Sequence, residues 1–253
     1  MTRFIAVAFA SLVASAAVHA FSLTMIGNPV EIADPSLKER EENALAAYDR
    51  INAMIKDGKL TEALTAAETA IKDYAGCPDG LHLLRGAKVY LLVRLPDKKK
   101  AADKFAADWI ADIKRERNPL HEFRCRQLAA SLLNAADTPD AKARDLQLVE
   151  LATALLHDTD ENLHLYTQGR KESHVLSYRV HIRMMLAQAF SLRDEPMIAV
   201  RQIEAAIALQ KKSQPTEGDD DKEFWKEHAR LIMFLTNELA KHKHAAESQP
   251  KKK

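Results

Sequence analysis

The residues of this 253-residue chain that come nearest to a chemical site are His121-Glu122-Phe123-Arg124-Cys125. Zinc peptidases hold their metal with two histidines one helical turn apart and use the intervening glutamate as base. Here Cys125 stands in place of the second histidine. Cysteine can ligate zinc, but the further protein ligand and the open water position must then come from elsewhere in the chain. Asp158-Thr159-Asp160-Glu161-Asn162 opens like a calcium loop, with oxygen side chains at alternate positions. Leu163 then occupies the place of the sharp-turn glycine, and Gly169 that of the bidentate glutamate. The expectation is a surface loop without a metal. His174 and His181 share a helix face with Val175 and Tyr178, as packing or edge residues, and His242 and His244 fall near the C-terminus. The chain has neither Gly-x-Ser-x-Gly nor a glycine cluster before Lys-Ser/Thr, and its 7 glycines are scattered singly. No catalytic residue, metal or cofactor is therefore expected.

Arg3 precedes an apolar run from Phe4 to Ala17, and Val18-His19-Ala20 supplies the small residues of a signal-peptidase site. A run of about 14 apolar residues is short of the roughly 20 that span a membrane. Residues 1–20 are read as a cleaved secretory signal, so the mature chain is periplasmic or secreted and has no stable membrane insertion. The alternative is an uncleaved anchor. Phe21, where a lipoprotein needs cysteine, closes that route. Lys+Arg number 37 and Asp+Glu 36, and removal of Arg3 with the signal balances them. Without a concentrated basic excess, nucleic acid is not an expected partner. In an oxidising compartment, Cys77 and Cys125 are a candidate disulfide. Closing a loop of about 49 residues would contribute on the order of 4 kcal/mol. The other reading is an inert buried thiol at Cys125, beside Leu128 and Leu132.

These residues sit in a chain built for helices. From Leu37 onward Ala, Leu, Glu, Lys and Arg dominate, and no segment alternates apolar and polar residues with β-branched enrichment. Breakers divide the chain into about nine helices: Leu37–Lys56, Leu60–Tyr74, Leu81–Arg94, a segment after Pro96-Asp97 reaching Arg117, Leu120–Ala136, Asp140–Leu156, Glu172–Leu192, Pro196–Lys212 and Lys222–Lys241. Residues 21–36 are expected to be extended, 37–243 to form the helical domain and 244–253 a disordered basic tail.

Short turns between helices of this length force antiparallel neighbours. Gly58-Lys-Leu-Thr-Glu-Ala63-Leu with Ala70-Ile71 resembles the turn and second helix of a tetratricopeptide repeat, as does Leu186-Ala187 with Phe190, Ala199, Ile203 and Ala206-Ile207. Asp194 stands where the turn glycine is common, Ala187 replaces a glycine, and Ala47 replaces the tryptophan. Leu84–Ile113 fits only with extra turn residues around Leu95-Pro96-Asp97. The resemblance implies an all-α, right-handed array of antiparallel hairpins whose groove holds a protein or peptide. Register would place Tyr48, Asn52, His181 and Gln188 on that groove. The function expected is non-catalytic binding or scaffolding. The alternatives are a helical accessory subunit of an envelope enzyme, or an enzyme whose site has no recognisable motif.

Overall fold

The computed structural model describes residues 35–116, 121–138, 141–169, 172–212 and 222–248. The signal segment, most of the expected extended stretch and the last five residues lie outside the described residues. Among the described residues the chain forms ten α-helices, one 3-10 turn (Ala141–Ala143) and no strand, so the fold is all-α. The helices are α1 (Pro35–Lys56), α2 (Leu60–Asp73), α3 (Pro78–Arg94), α4 (Lys99–Glu116), α5 (His121–Ala136), α6 (Leu146–Glu161), α7 (Leu163–Tyr166), α8 (Glu172–Leu192), α9 (Pro196–Lys212) and α10 (Lys222–Ser248). No described helix is long and apolar enough to cross a membrane.

The seventh and eighth expected helices begin and end where the breakers put them. The sixth does not. Asp145 accepts a hydrogen bond from the Leu148 backbone N–H at 3.4 Å, which caps α6 six residues later than expected. The helix then runs through Asp158 and Asp160 to Glu161, so the calcium-like sequence is helical and not a loop. The helix α10 continues to Ser248, past the boundary expected at residue 243.

Two of the turns close in the same way. Gly58 has φ +76° and Asp194 has φ +58°, both left-handed. In the first turn Lys59 N–H donates to Met54 O, and in the second Glu195 N–H donates to Phe190 O, each at 2.9 Å. This six-to-one bond satisfies a helix-end carbonyl once the backbone turns left-handed. Asp97, between α3 and α4, is also left-handed at φ +59°. Aspartate tolerates that region better than most residues because its short side chain can bond locally.

The hairpins α1–α2, α3–α4, α5–α6 and α8–α9 follow one another, and α10 closes the end against α9. The first helix of each packs on the first helix of the next: α1 on α3, α3 on α5, α5 on α8. Side chains mark the steps. Glu41 on α1 accepts from the Gly80 N–H 39 residues on. Arg94 at the end of α3 donates to Asp137 O 43 residues on, and Arg144 donates to Leu192 O 48 residues on. Three apolar clusters form the core, with α3 shared by the first and second and α8 by the second and third. A helix buried on opposite sides carries apolar residues all round, as α3 does with Leu84 and Leu91 towards one cluster and Val89 towards the other.

Candidate functional site

The helix α5, which carries the near-miss zinc motif, lies between α3 and α8. Two residues rotate a helix by about 200°, so Arg124 and Arg126 must point to opposite sides. Arg124 lies two turns before Ser131, whose Oγ would stand 2.7 Å from a Cβ added at Gly86 of α3. On α3, one turn before Gly86, is His82. Arg126 lies over the Tyr178 ring of α8 at 5.1 Å, and His181 is three residues further along that helix. One arginine of α5 therefore serves each flanking helix, and each of those helices supplies a buried histidine.

His82 is 6% exposed and His181 8%. The His82 ring lies 5.6 Å from that of Trp109 on α4. Burial, with the positive charges of Arg124 and Arg85, lowers its pKa to about 3. Burial, then the charge of Arg126, lowers the His181 pKa to about 4, partly opposed by a 2.8 Å hydrogen bond to Ser177 O. With the carbonyl as acceptor, Nδ1 must be the donor. Both imidazoles are neutral at pH 7.

The rest of the motif is engaged in packing. Glu122, 2% exposed, accepts a hydrogen bond from Arg126 Nε at 3.0 Å and forms an ion pair with Nη2 at the same distance. The carboxylate is thus engaged by a guanidinium within its own helix. The Cys125 thiol is buried, and burial raises its pKa to about 11, so little thiolate forms at neutral pH. The side chain of His121 is not described. Among the described residues no three His, Cys, Asp or Glu side chains converge to hold a metal. Asp158 pairs with Lys114 at 3.2 Å, while Asp160 pairs with Arg183 at 2.6 Å and Arg179 at 3.6 Å, so these carboxylates tie helices together.

No family model, curated protein or solved structure matches the chain.

Among the residues expected on a groove, Tyr48 and Asn52 are half-buried on α1, and Gln188 is half-buried on α8. His181 is buried at 8% exposure, with the charge of Arg126 of α5 acting on it, and so does not stand on an open face. The four belong to the first and fourth hairpins. Between α1 and α2 lies a crevice of about 270 Å³, whose lining includes neither Tyr48 nor Asn52. Ala47, Ile51, Ala66 and Ala70 form its floor, and Arg50 and Asp73 stand at its edge. Cys77 and Cys125 are both buried free thiols, and the candidate bridge between them is not formed in this structure. Their surroundings differ: Cys77 precedes α3 beside Arg40 and Glu41, whereas Cys125 hydrogen-bonds with Thr159 of α6.

Motif spacing did not find His82, whose partners on other helices, Trp109 and Arg124, are 27 and 42 residues away. A signal was present in α3. A histidine inside Leu81–Arg94, a segment apolar on every side, has to be buried.

Proposed function

We propose that the protein is an exported, non-catalytic binding or scaffolding protein, built as a tetratricopeptide-like array that holds a protein or peptide partner. The observation that carries this reading is the repeated layer. The same left-handed turn closes α1 and α8, and each hairpin packs its first helix on the first helix of the next. Such stacking produces a continuous surface on which an extended or helical partner can lie. The layers are longer than the 34 residues of a tetratricopeptide repeat. Their first helices start at Pro35, Pro78, His121 and Glu172, at intervals of 43, 43 and 51 residues. The resemblance therefore concerns turn and packing more than length.

The partner contacts α1 at the half-buried Tyr48 and Asn52. Signal-cleaved protein is used as bait on a native envelope extract, and the Tyr48→Ala/Asn52→Ala variant is run beside it. The variant should recover at least about tenfold less of the wild-type partner, equivalent to roughly 1.4 kcal/mol, while keeping its melting temperature. Equal recovery would remove this face from the reading. A large fall in melting temperature would assign the two residues to the core.

A further inference from the structure

We propose that the crevice between α1 and α2 is a docking groove, separate from the Tyr48 and Asn52 face, for a short partner helix that carries one or two bulky apolar side chains between an acidic and a basic residue. The groove opens on the side of the first hairpin that α3 does not cover. On α1, Glu41 and Ala44 mark the α3 side, since Glu41 accepts from the Gly80 N–H and Ala44 lies against Gly80. Arg50 follows Glu41 by about two and a half turns and so points to the opposite side. It is also two residues from Tyr48 and from Asn52, about 200° round the helix from each.

The shape suits a side chain, not a cofactor. Ala47 and Ile51 of α1 and Ala66 and Ala70 of α2 give an apolar floor, and Met54 adds a wall that can adapt to its occupant. Sites for small molecules and cofactors run from about 300 Å³ upward, whereas an apolar cavity of about 150 Å³ takes one benzene-sized group. At about 270 Å³, the crevice takes one or two groups of roughly that size. The same pair of helices already shows how a third is seated. On its other side α3 packs on both α1 and α2, with Ala44 letting it come close. The alanines of the crevice floor offer a second helix the same approach.

Charge sets the flanks of that helix. Arg50 and Asp73 line the crevice, both are exposed, and neither pairs with a described residue. The helices α1 and α2 run antiparallel about the turn at Gly58. Arg50 lies eight residues before that glycine and Asp73 fifteen after it, so they are offset by seven residues, about 10 Å along the hairpin. The occupant therefore brings an acid to Arg50 and a base to Asp73, about two turns apart on opposite flanks. The order of the two charges fixes its direction in the groove.

The test uses two synthetic, stapled helical peptides that share two central leucines and differ only in whether a glutamate precedes or follows a lysine seven residues away. Signal-cleaved protein is titrated with each, and NMR follows the Ala66 and Ala70 amides, which detects weak binding. One peptide should saturate these signals at least about threefold more tightly than the other at low salt, and added salt should shrink the preference. The Arg50→Glu/Asp73→Lys variant should reverse it. Ala66→Leu, which fills the crevice, should abolish saturation; if that variant does not fold, the charge reversal decides. The Tyr48→Ala/Asn52→Ala variant should bind both peptides as the wild type does, which separates this groove from the face proposed above. Equal affinity for the two charge orders, no saturation by either, or loss of binding in the Tyr48→Ala/Asn52→Ala variant would overturn the groove. Shifts at Ala66 and Ala70 that grow with protein concentration in the absence of peptide would give the crevice to a second copy of the chain, and so overturn it too.

Discussion

The first hairpin and the third are built from helices of similar length, yet they bury different kinds of residue. In α1–α2 the buried positions are mostly alanines, Ala44, Ala47, Ala63, Ala67 and Ala70, with Ile51 and Leu64. In α5–α6 they include Leu128, Leu132, Leu133, Leu148, Leu155 and Leu156, none more than 1% exposed. The third hairpin has neighbours on both sides, so large side chains there are fully covered. Among the described residues the first has a neighbour on one side, and it stays close to it through small residues. Position in the stack decides how much an equal length of helix can bury.

The largest expected effect is therefore in the middle. Truncating Leu132→Ala should cost about 4 kcal/mol, because both flanking layers hold the cavity open. Leu64→Ala, at 8% exposure beside a hairpin that can relax into solvent, should cost about 2 kcal/mol. Urea unfolding of the two variants measures the difference. Equal losses would mean that the end hairpin is packed as rigidly as the centre.

Two glycines sharpen the comparison. A Cβ at Gly80 would collide with the Ala44 Cβ, with the Ala44 backbone 3.6 Å away. Gly80→Ala must therefore push α1 from α3, at roughly 1 to 3 kcal/mol. A Cβ at Gly86 would instead meet the Ser131 side chain at 2.7 Å. Serine can rotate, and alanine is the better helix former. Gly86→Ala should thus cost less than Gly80→Ala, and Gly86→Ala combined with Ser131→Ala less still. The melting temperatures of the three variants order them.

Helix type and most helix ends were legible, because Pro78, Pro196, Gly58 and the Arg193-Asp194-Glu195 turn act through their own backbone preferences. The start of α6 was harder to see. The expected start was Asp140, whereas the cap is made by Asp145 and the helix begins at Leu146. The end of α6 was misread because Asp, Thr and Asn suit loops. Here Thr159 bonds to Leu155 O within the helix, and Asp158 and Asp160 pair with Lys114 and Arg183. Tertiary ion pairs overrode a local preference. The polar layer around α5 was illegible for a related reason, since its members come from three hairpins and only helix packing brings them together.

A smaller effect is expected where α1 meets α3. Glu41, 6% exposed, accepts the Gly80 N–H at 2.9 Å and the Asp79 N–H at 3.2 Å. These are N–H groups that the start of a helix leaves without intrahelical partners, and a negative charge is favoured beside them. Glu41→Gln keeps one acceptor and turns an NH2 group towards donors, so roughly 1 to 2 kcal/mol should be lost. If urea midpoints show no change, the carboxylate is dispensable and alanine packing alone seats α1 on α3.

The thiols probe the comparison with almost no perturbation. Cys77 is buried where the first hairpin meets α3, and Cys125 is buried in the middle cluster. Burial raises the pKa of both thiols, so in native protein each reacts only after local opening. Opening the end of a stack uncovers one interface, while exposing α5 disturbs two. Native alkylation should therefore label Cys77 faster than Cys125, about tenfold for each 1.4 kcal/mol of difference in opening free energy. Faster labelling of Cys125 would reverse the order of stability argued from burial. Denatured but unreduced protein should take up two labels. Uptake of none would reveal a Cys77–Cys125 bridge, and with it a junction between the first three hairpins tighter than free thiols allow.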